Sequence, residues 1–197
     1  MFKRVSSVLG ALALLLAVGC SKAPEIEMTA TNDALQAAVQ VEAEKYAPAE
    51  YQMAMDTLNA AQAAMEEQNS KFALFRSYDN SRKLLATSQQ LANDAATKAV
   101  AEKERVHTEV MGMMSKVDTL IAQASKALKS APVGKGTKAD LELIKNDMAA
   151  VQATQAEAVI DFNNGDFLTA KAKFQAVVTK TESIISELAA AKAKTSR

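Results

Sequence analysis

YDNSRKLLATSQQLANDAATKAVAEKERVHTEVMGMMSKVDTLIAQASKALK (Tyr78–Lys129) decides the fold. Apolar or small residues recur every seven positions at Tyr78, Leu85, Ala92, Ala99, Val106, Met113, Leu120 and Ala127. Ala96, Val110, Val117 and Ala124 fill the intermediate row, which Arg82, Gln89 and Lys103 interrupt. That is the repeat of a helix burying one seam against other helices. Unbroken, it is a helix of about 50 residues, roughly 75 Å long at 1.5 Å per residue. Gly112 lies inside it, at a cost of about 1 kcal/mol relative to alanine.

Working outward, the same periodicity returns on both sides. Upstream, Thr31, Asn32 and Asp33 offer an N-cap for a helix to about Tyr46, and Pro48 suits the first turn of another. From there Tyr51, Ala54, Leu58, Ala61 and Met65 form a stripe, followed by the polar patch Glu66–Ser70. Downstream, Pro132, Gly134 and Gly136 break the chain, and Thr137-Lys-Ala-Asp140 resembles a capping box with Asp in place of the usual Glu. Leu141, Ile144, Met148, Val151, Ala158 and Phe162 make the next stripe. Asn163–Asp166 then predicts a tight reversal, with Gly165 left-handed and Asp166 an N-cap. Phe167, Ala170, Phe174, Val177, Thr181, Ile184, Leu188 and Ala191 close the series. The pattern over 48–100 echoes that near 138–194 at an offset of about 89–90, pairing Tyr78 with Phe167 and Tyr51 with Leu141.

Composition agrees. The 197 residues are rich in alanine and include 6 Gly, 3 Pro, no Trp and 5% aromatic residues. Such a chain has little material for sheets or tight turns. The expected fold is all-α: an elongated antiparallel helical bundle or coiled coil with one very long helix. The expected divisions are a signal peptide over 1–19, a flexible tether over 20–31, a helical hairpin with the long helix over 32–129, and a second hairpin over 137–195.

The first twenty residues, MFKRVSSVLGALALLLAVGC, carry an address. Lys3 and Arg4 precede an apolar run from Val8 to Val18, shorter than the roughly 20 residues of a spanning helix, and small residues follow. Leu16-Ala17-Val18-Gly19-Cys20 resembles a bacterial lipobox, with Ala17 where that motif prefers leucine. The resemblance implies cleavage before Cys20, diacylglyceryl transfer to its thiol and acylation (palmitate) of its amine. Cys20 is the only cysteine, so no disulfide competes for it. Two or three acyl chains anchor stably, at about 0.8 kcal/mol per buried CH₂. By resemblance to sorted lipoproteins, Ser21 rather than Asp favours the outer membrane over retention at the inner one, with the domain facing the periplasm.

The run Tyr46-Ala47-Pro48-Ala49-Glu50-Tyr51, an Ala-rich helix, and Tyr78-Asp79 opening another resemble a family of small bacterial envelope lipoproteins. Its members start a helical hairpin on Tyr-Ala-Pro and have no assigned activity; the resemblance covers roughly residues 36–100. Ser81, where the family has alanine, and the long helix beyond residue 100 depart from it. Asn164–Ala170 with Phe174 also resembles the turn of a single tetratricopeptide unit.

Chemistry is sparse. Lys+Arg and Asp+Glu are each 23, which removes the basic footprint of a nucleic-acid binder. Loss of Lys3 and Arg4 with the signal peptide leaves 21 basic against 23 acidic side chains. No polybasic patch adds a second membrane signal. No elbow serine or phosphate loop occurs, and Gly134-Lys135-Gly136-Thr137 lacks the phosphate-loop spacing. Asp161–Asp166 lacks the calcium-loop glycine position and its bidentate glutamate. His107, Met111 and Met114 share one helical stripe, and their soft donors suit Cu(I) or Ag(I). The expected function is therefore non-enzymatic and without cofactor. It is that of an outer-membrane-anchored scaffold binding an envelope protein or a second copy, with a soft-metal or small-ligand carrier as the alternative.

Overall fold

The computed structural model describes residues 22–133 and 138–195. Cys20, the signal segment and Gly134–Thr137 of the predicted break and capping box lie outside them. The described residues form six α-helices and no strand: α1 (Glu25–Gln40), α2 (Ala43–Tyr46), α3 (Pro48–Asn69), α4 (Asp79–Lys129), α5 (Lys138–Asn163) and α6 (Phe167–Thr195). A 3₁₀ turn, Ala73–Phe75, lies between α3 and α4. The chain is an all-α helical bundle, and α4 is one helix of 51 residues.

Helix starts follow local chemistry. Pro48 takes the first turn of α3, and Ala47 before it is pushed out of the helical region. Gly165 has φ +82°, its N–H donates to the Phe162 carbonyl at 3.0 Å, and the Asp166 N–H donates to the Asp161 carbonyl at 2.9 Å. This is a Schellman end, the reversal expected at 163–166.

Three expectations change. Residues 25–31, assigned to a tether, are the first turns of α1, which opens after Pro24 with Glu25 and Glu27 favourably placed at its N-terminus. Thr31 is no cap: it is buried inside the helix, donating its hydroxyl to the Glu27 and Leu85 carbonyls at 2.8 and 3.1 Å. That helix also stops early, at Gln40, where Glu42 takes a left-handed turn with φ 60° before α2.

Contacts divide the chain into two compact units, Met1–Glu102 and Lys103–Arg197. The boundary falls inside α4, whereas the sequence places it at the 130–136 break. Unit 1 packs α1, α3 and the first half of α4. Arg82 meets Glu27 and Thr31 meets Leu85, so α1 and α4 run parallel. Tyr78 meets Asn69, Ser88 meets Ala54 and Lys98 meets Glu50, so α3 runs against them. Unit 2 repeats this up-down-up order with the second half of α4, α5 and α6. Glu109 pairs with Lys171 and Lys116 with Glu182, while Lys180 pairs with Asp147 at 2.7 Å.

The buried row in the first half of α4 is Tyr78, Ser81, Leu85, Ser88, Ala92, Ala95 and Ala99. Two of the three interruptions, Arg82 and Gln89, vanish because the second row runs through Ser81, Ser88 and Ala95, one residue earlier than the row read in the sequence. The Ser88 hydroxyl is satisfied by the Ala54 carbonyl at 2.7 Å, so a polar residue fits this seam. At an offset of 89, six of these seven positions meet buried residues of α6: Ala170, Phe174, Val177, Thr181, Ile184 and Leu188. At an offset of 90, buried Ala54, Leu58 and Ala61 of α3 meet buried Ile144, Met148 and Val151 of α5. The echo read in the sequence is thus one of burial, helix by helix.

Ion pairs follow the register of unit 2. Lys173 lies 2.9 Å from Asp161 and 3.0 Å from Glu157, and the two carboxylates, Asp161 first, raise its amine above the ordinary lysine value. The Lys171 ammonium, with help from Arg105, holds the Glu109 carboxyl below its ordinary value against partial burial. A lowered carboxyl stabilises the fold fully above its unfolded-state value, and the gain is lost as pH falls through the folded-state one. Glu109→Gln is therefore expected to lower Tm by a few degrees at most at neutral pH, a half-exposed pair being worth little. The gap to wild type should close as pH falls below the carboxylate range. A thermal series from neutral to acid pH checks this; a gap that widens in acid would contradict it.

Candidate functional site

Two places gather side chains other than core. One is in unit 2, where the His107 ring stacks on Phe162 (centroids 5.2 Å apart, planes 14° apart) and packs against Phe167 at 4.9 Å. Phe162 and Phe167 lie 5.3 Å apart across the α5–α6 reversal. Glu104, one turn earlier, places Oε1 3.6 Å from His107 Nδ1. The imidazole therefore closes an aromatic cluster at a helix turn. Met111 of the same stripe is exposed and Met114 partly buried. Among the described residues, no three His, Cys, Asp or Glu side chains are grouped to hold a metal.

The other place is one end of unit 1, where α1 begins, α3 ends and α4 begins around an open cleft of about 600 Å³. Arg82 spans it: Nε reaches Glu27 at 3.2 Å, Nη2 donates to the Lys22 carbonyl at 2.9 Å, and Nη1 lies 3.7 Å from Asp79. Arg76 reaches back over the end of α3, donating to the Lys71 and Asn69 carbonyls, each at 2.9 Å. These are carbonyls that a helix end leaves without partners, so the guanidinium acts as a cap. Tyr78, only 2% exposed, donates its hydroxyl to Asn69 Oδ1 at 2.5 Å. Ser77 completes the turn: its N–H donates to Gln68 Oε1 at 3.2 Å and its hydroxyl to Asp79 Oδ2 at 3.0 Å.

Between these fixed points the chain bows outward as Phe72–Phe75. Phe72 is 70% exposed, Leu74 51% and Phe75 77%. Periodicity does not find this feature, because it lies between two stripes. The signal it does leave is an apolar run bracketed by Lys71 and Arg76 where a polar connection is the norm. This end therefore presents exposed apolar side chains near a cleft lined by Lys22 and Arg76.

The fold defines the class, an all-α helical-bundle protein. No known protein family, curated protein or solved structure matches the chain. Among the described residues, no helix is long and apolar enough to cross a membrane.

Proposed function

We propose that the protein is an envelope lipoprotein, held by acylated Cys20 in the periplasmic leaflet of the outer membrane. It acts there as a non-enzymatic scaffold whose helical faces bind an envelope protein or a second copy. The observation that carries this reading is the order of features at the N-terminus. A basic pair, a short apolar run and the chain's only cysteine lead into α1, which begins at Glu25, five residues after Cys20. Such a short join holds the bundle close against whatever the cysteine is attached to, since five residues span at most about 18 Å.

Intact-mass measurement and cell fractionation test it together. The wild-type chain should begin at Cys20, carry the mass of two or three acyl chains and sediment with membranes. Cys20→Ser should leave the membrane fraction almost completely. A wild-type chain without acyl mass would overturn the anchor. In-cell crosslinking from exposed helix positions tests the scaffold: recovery of neither an envelope protein nor a self-adduct would overturn that part.

A further inference from the structure

We propose that the Phe72–Phe75 turn is a membrane-interface contact. Its two rings and Leu74 enter the headgroup boundary of the leaflet that holds the anchor, while Lys22 and Arg76 face lipid phosphates. The proposal rests on the Cys20 reading for the choice of a membrane as partner, and on the structure for the exposed turn and the cations beside it.

The exposure is built in, because the turn is pinned. The Phe75 N–H donates to the Phe72 carbonyl at 2.9 Å, and Arg76 donates to both the Lys71 and Asn69 carbonyls. The rings lie 6.3 Å apart in a tilted pair, so they project together. The bundle itself does not require this display. At the offset of 90, Phe72 corresponds to Phe162, which packs on His107 and Phe167. There the connection closes in three residues, Asn164–Asp166, between α5 and α6. Unit 1 uses the longer stretch from Ser70 to Tyr78 for the same reversal and turns its phenylalanine outward.

Three large apolar side chains held in water by a hydrogen-bonded turn are a contact surface in need of a partner. Where the chain leads identifies it. Lys22 and Ile26, which is 82% exposed, line the same cleft as Arg76. Cys20 is two residues beyond Lys22, at most about 7 Å of extended chain. An acylated Cys20 therefore brings the leaflet to this end of unit 1. Charge fits as well. Glu67 is paired with Lys71, and Glu27 and Asp79 with Arg82. Among the described residues, Lys22 and Arg76 have no carboxylate in ion-pair range, and they outnumber unpaired Glu25 in the cleft. Rings at the interface with cations beside them are the arrangement of interfacial anchors.

The chain has no tryptophan, so Phe72→Trp introduces a single reporter with little change of shape. The acylated protein is placed in phosphatidylethanolamine–phosphatidylglycerol vesicles carrying brominated acyl chains. Met53→Trp, on an exposed position of α3 sixteen residues before its end at Asn69 and so about 24 Å along the axis, is the reference. The indole of the Phe72→Trp variant should emit at blue-shifted wavelengths and be quenched severalfold more than that of Met53→Trp. Adding Phe75→Ser should reduce that difference. Water-like, unquenched emission from acylated Phe72→Trp would overturn the proposal and leave the lipoprotein reading standing. Blue-shifted emission from the unacylated Cys20→Ser/Phe72→Trp chain without vesicles would also overturn it, because protein would then cover the patch. Quenching of the Phe72→Trp indole in a chain that keeps Cys20 but whose mass shows no acyl group would support the contact while removing the proposed anchor.

Discussion

Phe174→Ala is expected to destabilise unit 2 by about 3–5 kcal/mol, the range for deleting a fully buried aromatic ring. Phe174 is 0% exposed and is the largest fully buried side chain of that unit. The rest of its row is small or branched: Ala170, Val177, Thr181 and Ile184. None of these can reach into the space a ring leaves, so the cavity term adds to the lost transfer energy. Leu85, its counterpart in unit 1, is equally buried, and Leu85→Ala should cost about 2–5 kcal/mol. Urea unfolding followed by circular dichroism measures the loss, and amide exchange locates it. Protection should fall first in α5 and α6 for Phe174→Ala, and in α1 and α3 for Leu85→Ala. A loss below about 1 kcal/mol at Phe174 would contradict this packing, because ordinary surface substitutions stay within about 0.5 kcal/mol.

How much of the fold is legible in the sequence follows from which residues speak through periodicity. The seven-residue row from Tyr78 to Val106 is readable because every member is buried. Beyond it, Met113 and Leu120 are only partly buried, and the buried row passes to Val110, Val117 and Ala124. That shift of row falls between Val106 and Met113, beyond the unit boundary at 102/103, which no glycine or proline announces. Ser88 is hidden by its hydroxyl, and Thr31 resembles a cap because threonine serves as a cap, a back-bonded helix residue or a seam residue. Neither distinction can be made without the neighbouring helix, since it depends on the Ala54 and Leu85 carbonyls. The His107 stripe is legible as a spacing. Its stacking on Phe162 and Phe167 is not, because the three residues come from three helical segments. The Phe72–Phe75 display escapes a reading based on stripes for the opposite reason: it belongs to no helix face.

The strongest test of the internal repeat is a pair of exchanges at one register. Position 54 in α3 and position 144 in α5 correspond at the offset of 90 and are both buried, yet one is alanine and the other isoleucine. Ala54 is 0% exposed, in a cluster with Leu58, Ala61, Leu85 and Ala92, and its carbonyl accepts the Ser88 hydroxyl at 2.7 Å. Helices must approach closely for a short serine side chain to reach a backbone carbonyl on its neighbour. Ala54→Ile should push them apart, costing about 1–3 kcal/mol for overpacking and straining that hydrogen bond. Ile144→Ala should cost about 2–5 kcal/mol, because Val177 stands at the place of Ser88 and offers no bond to draw the helices together. If the repeat specified only hydrophobic pattern, each exchange would import the residue tolerated at the matching site and cost little. Losses for both single variants, measured by urea unfolding, would show that spacing differs between the units while register is shared. A stabilising Ala54→Ile would mean that the α3–α4 seam has room for the larger side chain, and the small-residue account of unit 1 would fail.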